Sequence, residues 1–252
     1  MDITSTAAIV TGGASGLGGA TAAALAAKGA SVFAFDLPAA IEQAERTEGI
    51  TYVETDVTDP EQVQAAVATA AGAGVPLRTV VNCAGIGPSA RILSKKGTHD
   101  LALFRKVIEV NLIGTFNVTT LAAEAIAKTE PLADNARGVV INTASIAAYD
   151  GQIGQVAYAA SKGGVVGLNL PAARDLASSG IRVMTIAPGI IDTPMLATVG
   201  EEFRAALAEG IPFPKRLGKP AEYAQLAIDI VEHDYLNGEV IRLDGSLRMA
   251  PR

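Results

Sequence analysis

The sequence predicts an α/β fold: a doubly wound, seven-stranded parallel sheet with helices on both faces. Three observations carry that prediction. Short apolar runs alternate with longer helical runs along the whole chain. The first strand-like run, residues 7–10, is apolar at every position, as a strand buried on both faces requires. The turn that follows it, TGGASGLG from Thr11 to Gly18, is rich in glycine and leads into an alanine-rich helical run at 20–28.

In order, strands are predicted at 7–10, 31–36, 51–55, 79–82, 139–142, 182–186 and 240–243, with helices at 20–28, 60–71, 101–128, 158–177 and 220–232. Strands separated by helices imply right-handed crossovers and a parallel sheet covered on both sides. Pro171 falls inside the predicted helix 158–177 and is expected to bend it, since proline lacks the amide that the preceding turn needs. Within 101–128, Leu101, Phe104, Ile108, Leu112 and Thr115 recur at helical steps and predict a buried stripe that includes Asn111. No linker or charge run divides residues 1–252, which are read as a single domain.

The chemistry is read first from the glycine loop. Gly12, Gly16 and Gly18 are spaced so that the backbone turns tightly and meets a pyrophosphate at a helix N-terminus, with Ser15 and Leu17 between them. Asp36 closes the second strand, eighteen residues beyond Gly18, where a carboxylate binds the ribose 2'-hydroxyl of a dinucleotide. A carboxylate there repels a 2'-phosphate, and neither Ala14, Ser15 nor Leu37 supplies a cation to neutralise one, so NAD is favoured over NADP.

A second constellation lies in the other half of the chain. Tyr158 and Lys162 are four residues apart in YAASK and share a helix face, so the ammonium is expected to favour the ionised phenol. Ser145, thirteen residues upstream of Tyr158 at the end of the apolar INTAS run, offers a hydroxyl to the same substrate oxygen. Elsewhere two readings stand side by side. Asn111 is either a catalytic amide or one satisfied by local backbone. Asn82, Ala84 and Gly85 in NCAG form either a wall beside the nucleotide or a tight turn, and Cys83 reads as a small strand-end residue. Asp56 and Val57 either meet the adenine or belong to a loop.

Composition limits the alternatives. The chain has 252 residues, 49% hydrophobic, with a formal charge of −6, which opposes general nucleic-acid binding. One cysteine and two histidines give no disulfide framework and no metal-ligand cluster. No signal peptide or membrane-spanning run is read, so a cytoplasmic protein without a membrane partner is expected.

TGGASGLG, Asp56-Val57, NCAG, Asn111, Ser145, YAASK and Pro188-Gly189, in this order, make the chain closely similar to the short-chain dehydrogenases/reductases along essentially its whole length. That resemblance implies a single-domain Rossmann fold and a catalytic tetrad of Asn111, Ser145, Tyr158 and Lys162, with Asn111 supporting a water beside Lys162. It implies that Thr193 contacts the nicotinamide carboxamide and that the backbone around Ile190 and Ile191 borders the ring. The segments NCAGI, VNLIGTFNV, GIRVMTIAPG and LNGEVIRLDGSLRM resemble the type 2 3-hydroxyacyl-CoA dehydrogenase subgroup. From it follow the expectations of an acyl-CoA or hydrophobic alcohol substrate, a homotetramer, and a role in fatty-acid metabolism. A hydroxysteroid dehydrogenase, or an NAD-dependent scaffold in an assembly, are the alternatives it leaves. The same resemblance implies a substrate lid near 190–213. Arg91, Lys95, Lys96, Lys215 and Arg216, in or near the LSKKGTH and PKR stretches, either help hold the coenzyme A phosphates or are solvated surface charges.

Overall fold

The computed structural model describes the chain except Lys96, Met195, residues 197–199 and Arg252, and of residues 201–203 the backbone only. Seven parallel strands form the sheet in the order β3-β2-β1-β4-β7-β8-β9. They are β1 (Ala7–Thr11), β2 (Ser31–Asp36), β3 (Ile50–Glu54), β4 (Leu77–Asn82), β7 (Gly138–Thr143), β8 (Ile181–Pro188) and β9 (Val240–Leu243). A hairpin of β5 (Leu93–Ser94) and β6 (Gly97–Thr98) is inserted after β4. The chain winds outward from β1 to β3 and then returns to start the other half at β4, so the crevice between the ends of β1 and β4 is the switch point where such sheets bind ligands.

Two helical layers cover the sheet. One contains α1 (Gly16–Ala27) and α8 (Pro220–Glu232); the other contains α3 (Pro60–Ala71), α4 (Leu101–Ile108), α5 (Gly114–Ala127) and α6 (Val156–Asp175), and short α2 (Pro38–Gln43) and α7 (Glu201–Glu209) complete the helices. Strand alternation divides the core: Ile9 faces Val63, Val67 and Val118, while its neighbours Ala8 and Val10 face Leu25 and Tyr223. Each fully buried aliphatic side chain of these two cores contributes roughly 1.5–3 kcal/mol.

The predicted helix 101–128 departs from expectation at an informative place. Residues Glu109–Ile113 form a π turn, closed by the Gly114 amide on the Glu109 carbonyl, and Asn111 lies inside it. The extra residue shifts the helical phase, so the buried stripe is Val107, Asn111, Thr115, Val118, Ala122 and Ile126, whereas Leu101 is exposed. Leu101–Ala127 is long and apolar enough to cross a membrane by composition, but that stripe packs it on the sheet and α3. Helix α6 runs through Pro171 and ends four residues later, at Asp175.

Candidate active site

At the nucleotide end, the strand-to-helix turn is shaped by missing side chains. Gly12 and Gly16 have φ of +63° and +55°, which side chains disfavour. A Cβ on Gly12 would lie 3.0 Å from the Ala84 amide, and one on Gly18 would run into the Gly12 carbonyl. Gly13, which the spacing argument overlooked, is held equally tightly: its Cβ would stand 2.7 Å from that of Ala34. Ser15 precedes α1 in an extended conformation and its hydroxyl does not cap the helix, so no side chain occupies the first-turn amides around Leu17 and Gly18. Across the cleft, Thr193 and Pro194 come within 3.6–3.8 Å of that position on Gly16 and roof the turn.

Asp36 is aimed at the same turn. One carboxylate oxygen accepts the Ala14 amide at 3.0 Å and the other the Leu37 amide at 2.8 Å. The Thr11 hydroxyl, at the end of β1, accepts the amides of Cys83 and Ala84, both at 3.1 Å, and so locks the switch point open at a fixed width. Asp56 turns back on Thr58, whose amide and hydroxyl hold its carboxyl below the usual range. Val57 packs against Gly114, and its carbonyl accepts from Asn117. The Asn82 side chain is interior, donating to Thr119 and Asn142 on the neighbouring elements, which leaves Ala84 and Gly85 as the wall of the cleft. Pro188 ends β8, and Gly189 is pinned beside β9: its amide donates to Leu243, and a Cβ would meet the Asp244 backbone at 2.8 Å. Ile191 is buried and bridges to Gly218. A glycine cradle, uncapped helix amides and a carboxylate joined to the same loop fit a nicotinamide dinucleotide.

The second constellation is assembled from four elements. Ser145 follows β7; its oxygen accepts the Ala147 amide at 3.1 Å, which fixes the side chain, and its hydroxyl hydrogen-bonds Tyr158. Tyr158 and Lys162 lie on α6, with the Lys162 Nζ 5.8 Å from the Tyr158 ring centre. Lys162 is buried and donates to the Thr143 carbonyl at 2.7 Å. The Asn111 carboxamide accepts the Ile86 amide (2.8 Å) and donates to the Ile86 carbonyl (2.9 Å) and Ser161 (3.0 Å). Gly85 is where these meet: a Cβ there would lie 3.1 Å from the Asn111 oxygen and 3.6 Å from Lys162 Nζ. The Asn111 side chain is satisfied by the Ile86 backbone, on the segment after β4, and by Ser161 rather than by backbone of its own turn, and its position borders Lys162.

The electrostatics correct one expectation. Burial raises the Tyr158 phenol above its ordinary value, partly offset by the Ser145 hydrogen bond, and lowers Lys162 to about 8. Desolvation, rather than the helix-face pairing, dominates both groups. At neutral pH Tyr158 is a phenol and Lys162 is still mostly an ammonium.

Around the opening, the Ala90 amide donates to Gly154, which ties the segment before the β5–β6 hairpin to the loop that leads into α6. Arg91, Lys95 and Lys215 are exposed. Arg216 is not a flexible cation as expected, because Glu222 clamps it through two hydrogen bonds of 2.8 and 2.7 Å. Lys96, and Met195 and Thr198 of the lid, lie outside the described residues. Ile211, at the far end of the lid, packs with Ile146 and Leu247 beside Ser145. Sequence reasoning gave no role to Thr11, Thr143 or Ser161; each is a small residue whose function is a hydrogen bond across elements, and no spacing signals that.

The chain matches the family pattern described as short chain dehydrogenase over residues 6–203. It is 51% identical over 249 residues to 3-hydroxyacyl-CoA dehydrogenase type-2 of Homo sapiens, covering 97% of this chain and 95% of that one. The Drosophila melanogaster protein of the same name is also 51% identical, over 96% of this chain and 97% of its own. The crystal structure of 3-hydroxyacyl-CoA dehydrogenase type-2 from Mycobacterium avium superposes with a TM-score of 0.91 at 46% identity, covering 98% of each chain.

Proposed function

The chain belongs to the short-chain dehydrogenase family, and from that premise we propose that it is an NAD-dependent oxidoreductase interconverting a (3S)-3-hydroxyacyl-CoA and the 3-oxoacyl-CoA. The observation that carries the reading is a complete proton-handling cluster in a chain half-identical, over nearly its full length, to proteins named for that activity. When bound, the nicotinamide supplies the hydride acceptor.

The protein's own residues handle the alcohol. Ser145, held in place by the Ala147 amide, donates its proton to the substrate oxygen and holds it. Tyr158 exchanges the hydroxyl proton: as phenolate it removes the proton in oxidation, and as phenol it protonates the carbonyl oxygen in reduction. Lys162, ammonium at neutral pH, favours the phenolate and is one hydrogen bond from the end of β7. Asn111 acts as a positioning residue: its locked side chain fixes Ile86 and the π turn, whose main chain supports a water beside Lys162. Gly12, Gly16 and Gly18 would seat the pyrophosphate, Asp36 would hold the adenosine ribose, and Thr193, beside the same turn, would face the carboxamide.

The reading extends to a cytoplasmic homotetramer acting in fatty-acid breakdown, without a nucleic-acid or membrane partner; sedimentation and cell fractionation test it. The decisive assay is a steady-state screen of NAD and NADP against 3-hydroxyacyl-CoA chain lengths, both enantiomers, and hydroxysteroids. The highest kcat/KM is expected for an (S)-hydroxyacyl-CoA with NAD. A hydroxysteroid preferred over every acyl-CoA would replace the substrate assignment and leave the chemistry in place. A Tyr158→Phe variant that keeps full biological function would instead identify a scaffold.

A further inference from the structure

We propose that Tyr223 is a positioning residue for Lys162, acting through Thr143 from the opposite helical layer. Tyr223 lies on α8 with 0% exposure, inside the apolar core shared with α1, yet it carries a hydroxyl that phenylalanine would not. A buried phenol needs a partner. That partner is the Thr143 hydroxyl, 2.6 Å away, at the last residue of β7. The carbonyl of the same residue accepts from Lys162 Nζ at 2.7 Å. Cys83, at the end of β4, completes a triangle, its sulfur 3.5 Å from the Thr143 hydroxyl and 3.6 Å from Tyr223. The phenol thus braces one side of a strand end whose other side carries the lysine.

The brace matters because, among the described residues, no carboxylate acts on Lys162. The titratable groups that face it are Tyr158 on its own helix, Cys83 from β4 and, one hydrogen bond further, Tyr223 from α8. Burial already lowers its pKa to about 8, so the ammonium depends on the placement of its carbonyl acceptor. With the brace removed, the Thr143 hydroxyl keeps only a weak sulfur partner and the strand end loosens. Lys162 then sheds its proton at lower pH, and with it the charge that favours the Tyr158 phenolate.

The inference rests on the dehydrogenase reading, and the test separates the two. Tyr223→Phe and Thr143→Val are compared with the parent in full-length protein, using NMR titration of 13Cε-labelled lysine, with Lys162 assigned by Lys162→Met, and the pH profile of kcat with 3-hydroxybutyryl-CoA and NAD. Thr185→Val is the control: it removes an equally buried hydrogen bond of 2.9 Å to Asn169, which ties β8 to the helix of Lys162 two turns further on without touching Thr143 or the lysine, so it reports what a general loosening of α6 does. Each brace variant is expected to lower the Lys162 titration midpoint, to reduce kcat at neutral pH about 3- to 10-fold, as for one buried hydrogen bond, and to leave the KM for NAD within about 2-fold. The double variant should do no more than either single one. An unmoved Lys162 midpoint in both variants, with melting temperatures lowered as in Thr185→Val, overturns the proposal and leaves Tyr223 a core residue. If Tyr223→Phe does not fold, Thr143→Val decides from the other end of the bond. A parent that turns over no alcohol defeats the dehydrogenase reading, while the NMR titration still decides the brace.

Discussion

The two ends of the cleft are built by opposite means. The nucleotide end is made from main chain and from missing side chains: Gly12, Gly16 and Gly18 lie within seven residues of one another, and it is their backbone that lines the crevice. The proton-handling end is made from side chains gathered beyond the ends of the central strands β4 and β7, with Asn111, Ser145 and Lys162 each brought from a different element around Gly85. The first is a local device that any switch-point crevice can carry. The second exists only once the whole right half of the sheet is assembled, and its buried polar groups oppose stability unless each finds a partner.

The sharpest way to break that comparison is to alter one end and read the other. Tyr158→Phe keeps the ring and the packing but removes the transferable proton, so kcat should fall about 10²- to 10⁴-fold while NAD affinity stays within a few-fold. Gly18→Ala should do the reverse. Its Cβ meets the Gly12 carbonyl, so the turn opens and NAD affinity collapses, with Tyr158 and Lys162 left in register. Calorimetric NAD binding alongside single-turnover rates separates the two, and a Tyr158→Phe enzyme that turns over at the parent rate would remove Tyr158 from the chemistry.

The same contrast explains what was legible in the sequence. TGGASGLG and Asp36 declared the cradle because its chemistry depends on close spacing along one strand-turn-helix unit. The inner strands of the sheet were legible because strands buried on two faces are apolar runs, and the half-buried edge strands β3 and β9 because they too are short runs set off by helical stretches. The π turn at Asn111 was not, since its extra residue leaves no mark in composition and shifts the apparent stripe from Val107 to Ile108. Nor was the electrostatic balance at Tyr158 and Lys162, which depends on how much sheet and helix covers them. Thr143 and Tyr223, eighty residues apart and 2.6 Å from each other, belong to the same class of information.

The expense of the proton-handling end is measurable. Lys162 titrates at about 8 when folded against an ordinary 10.5, so burial disfavours its charge by roughly 3 kcal/mol. Between those values the unfolded chain binds the proton and the native one does not, so this contribution makes stability rise with pH; below about 8 the penalty is fully present. Lys162→Met should therefore be more stable than the parent at neutral pH, with the difference shrinking as pH rises toward 10.5. Taking the difference matters, because burial raises Cys83, Tyr158 and Tyr223 and pulls stability down at alkaline pH in both proteins. Denaturant melts across that range check it, and a constant difference would mean that Lys162 is not desolvated.

At the nucleotide end the corresponding change is smaller and concerns choice rather than strength. Asp36 is held by two backbone amides, so its carboxylate is fixed beside the glycine turn, where on the proposed reading it would meet a ribose hydroxyl and repel a 2'-phosphate. Asp36→Ala is expected to weaken NAD about 10-fold and narrow its preference over NADP, as loss of a charge-assisted hydrogen bond would. Adding Leu37→Arg should improve NADP use further. A parent that prefers NADP in initial-rate assays would show that Asp36 points elsewhere in the working enzyme.

The smallest expected effect lies outside both ends, on the rim. Arg91, Lys95 and Lys215 are exposed, and Arg91 is next to Ala90, whose amide docks on Gly154 in the loop entering α6. A coenzyme A phosphate passing this rim meets charges already in water, so each contact is worth no more than about 1 kcal/mol and is screened by salt. Arg216 adds nothing, since Glu222 already neutralises it, and Arg216→Ala should affect stability before substrate binding. The double variant Arg91→Ala/Lys95→Ala should raise the KM for an acyl-CoA about 3- to 10-fold at low ionic strength and much less at high salt. A truncated thioester without phosphates should be indifferent to the same change. Equal effects on both substrates would assign these residues to the fold of the hairpin and leave the rim without a part in recognition, whereas a salt-sensitive difference would add a third, purely electrostatic, means of construction to the two that build the cleft.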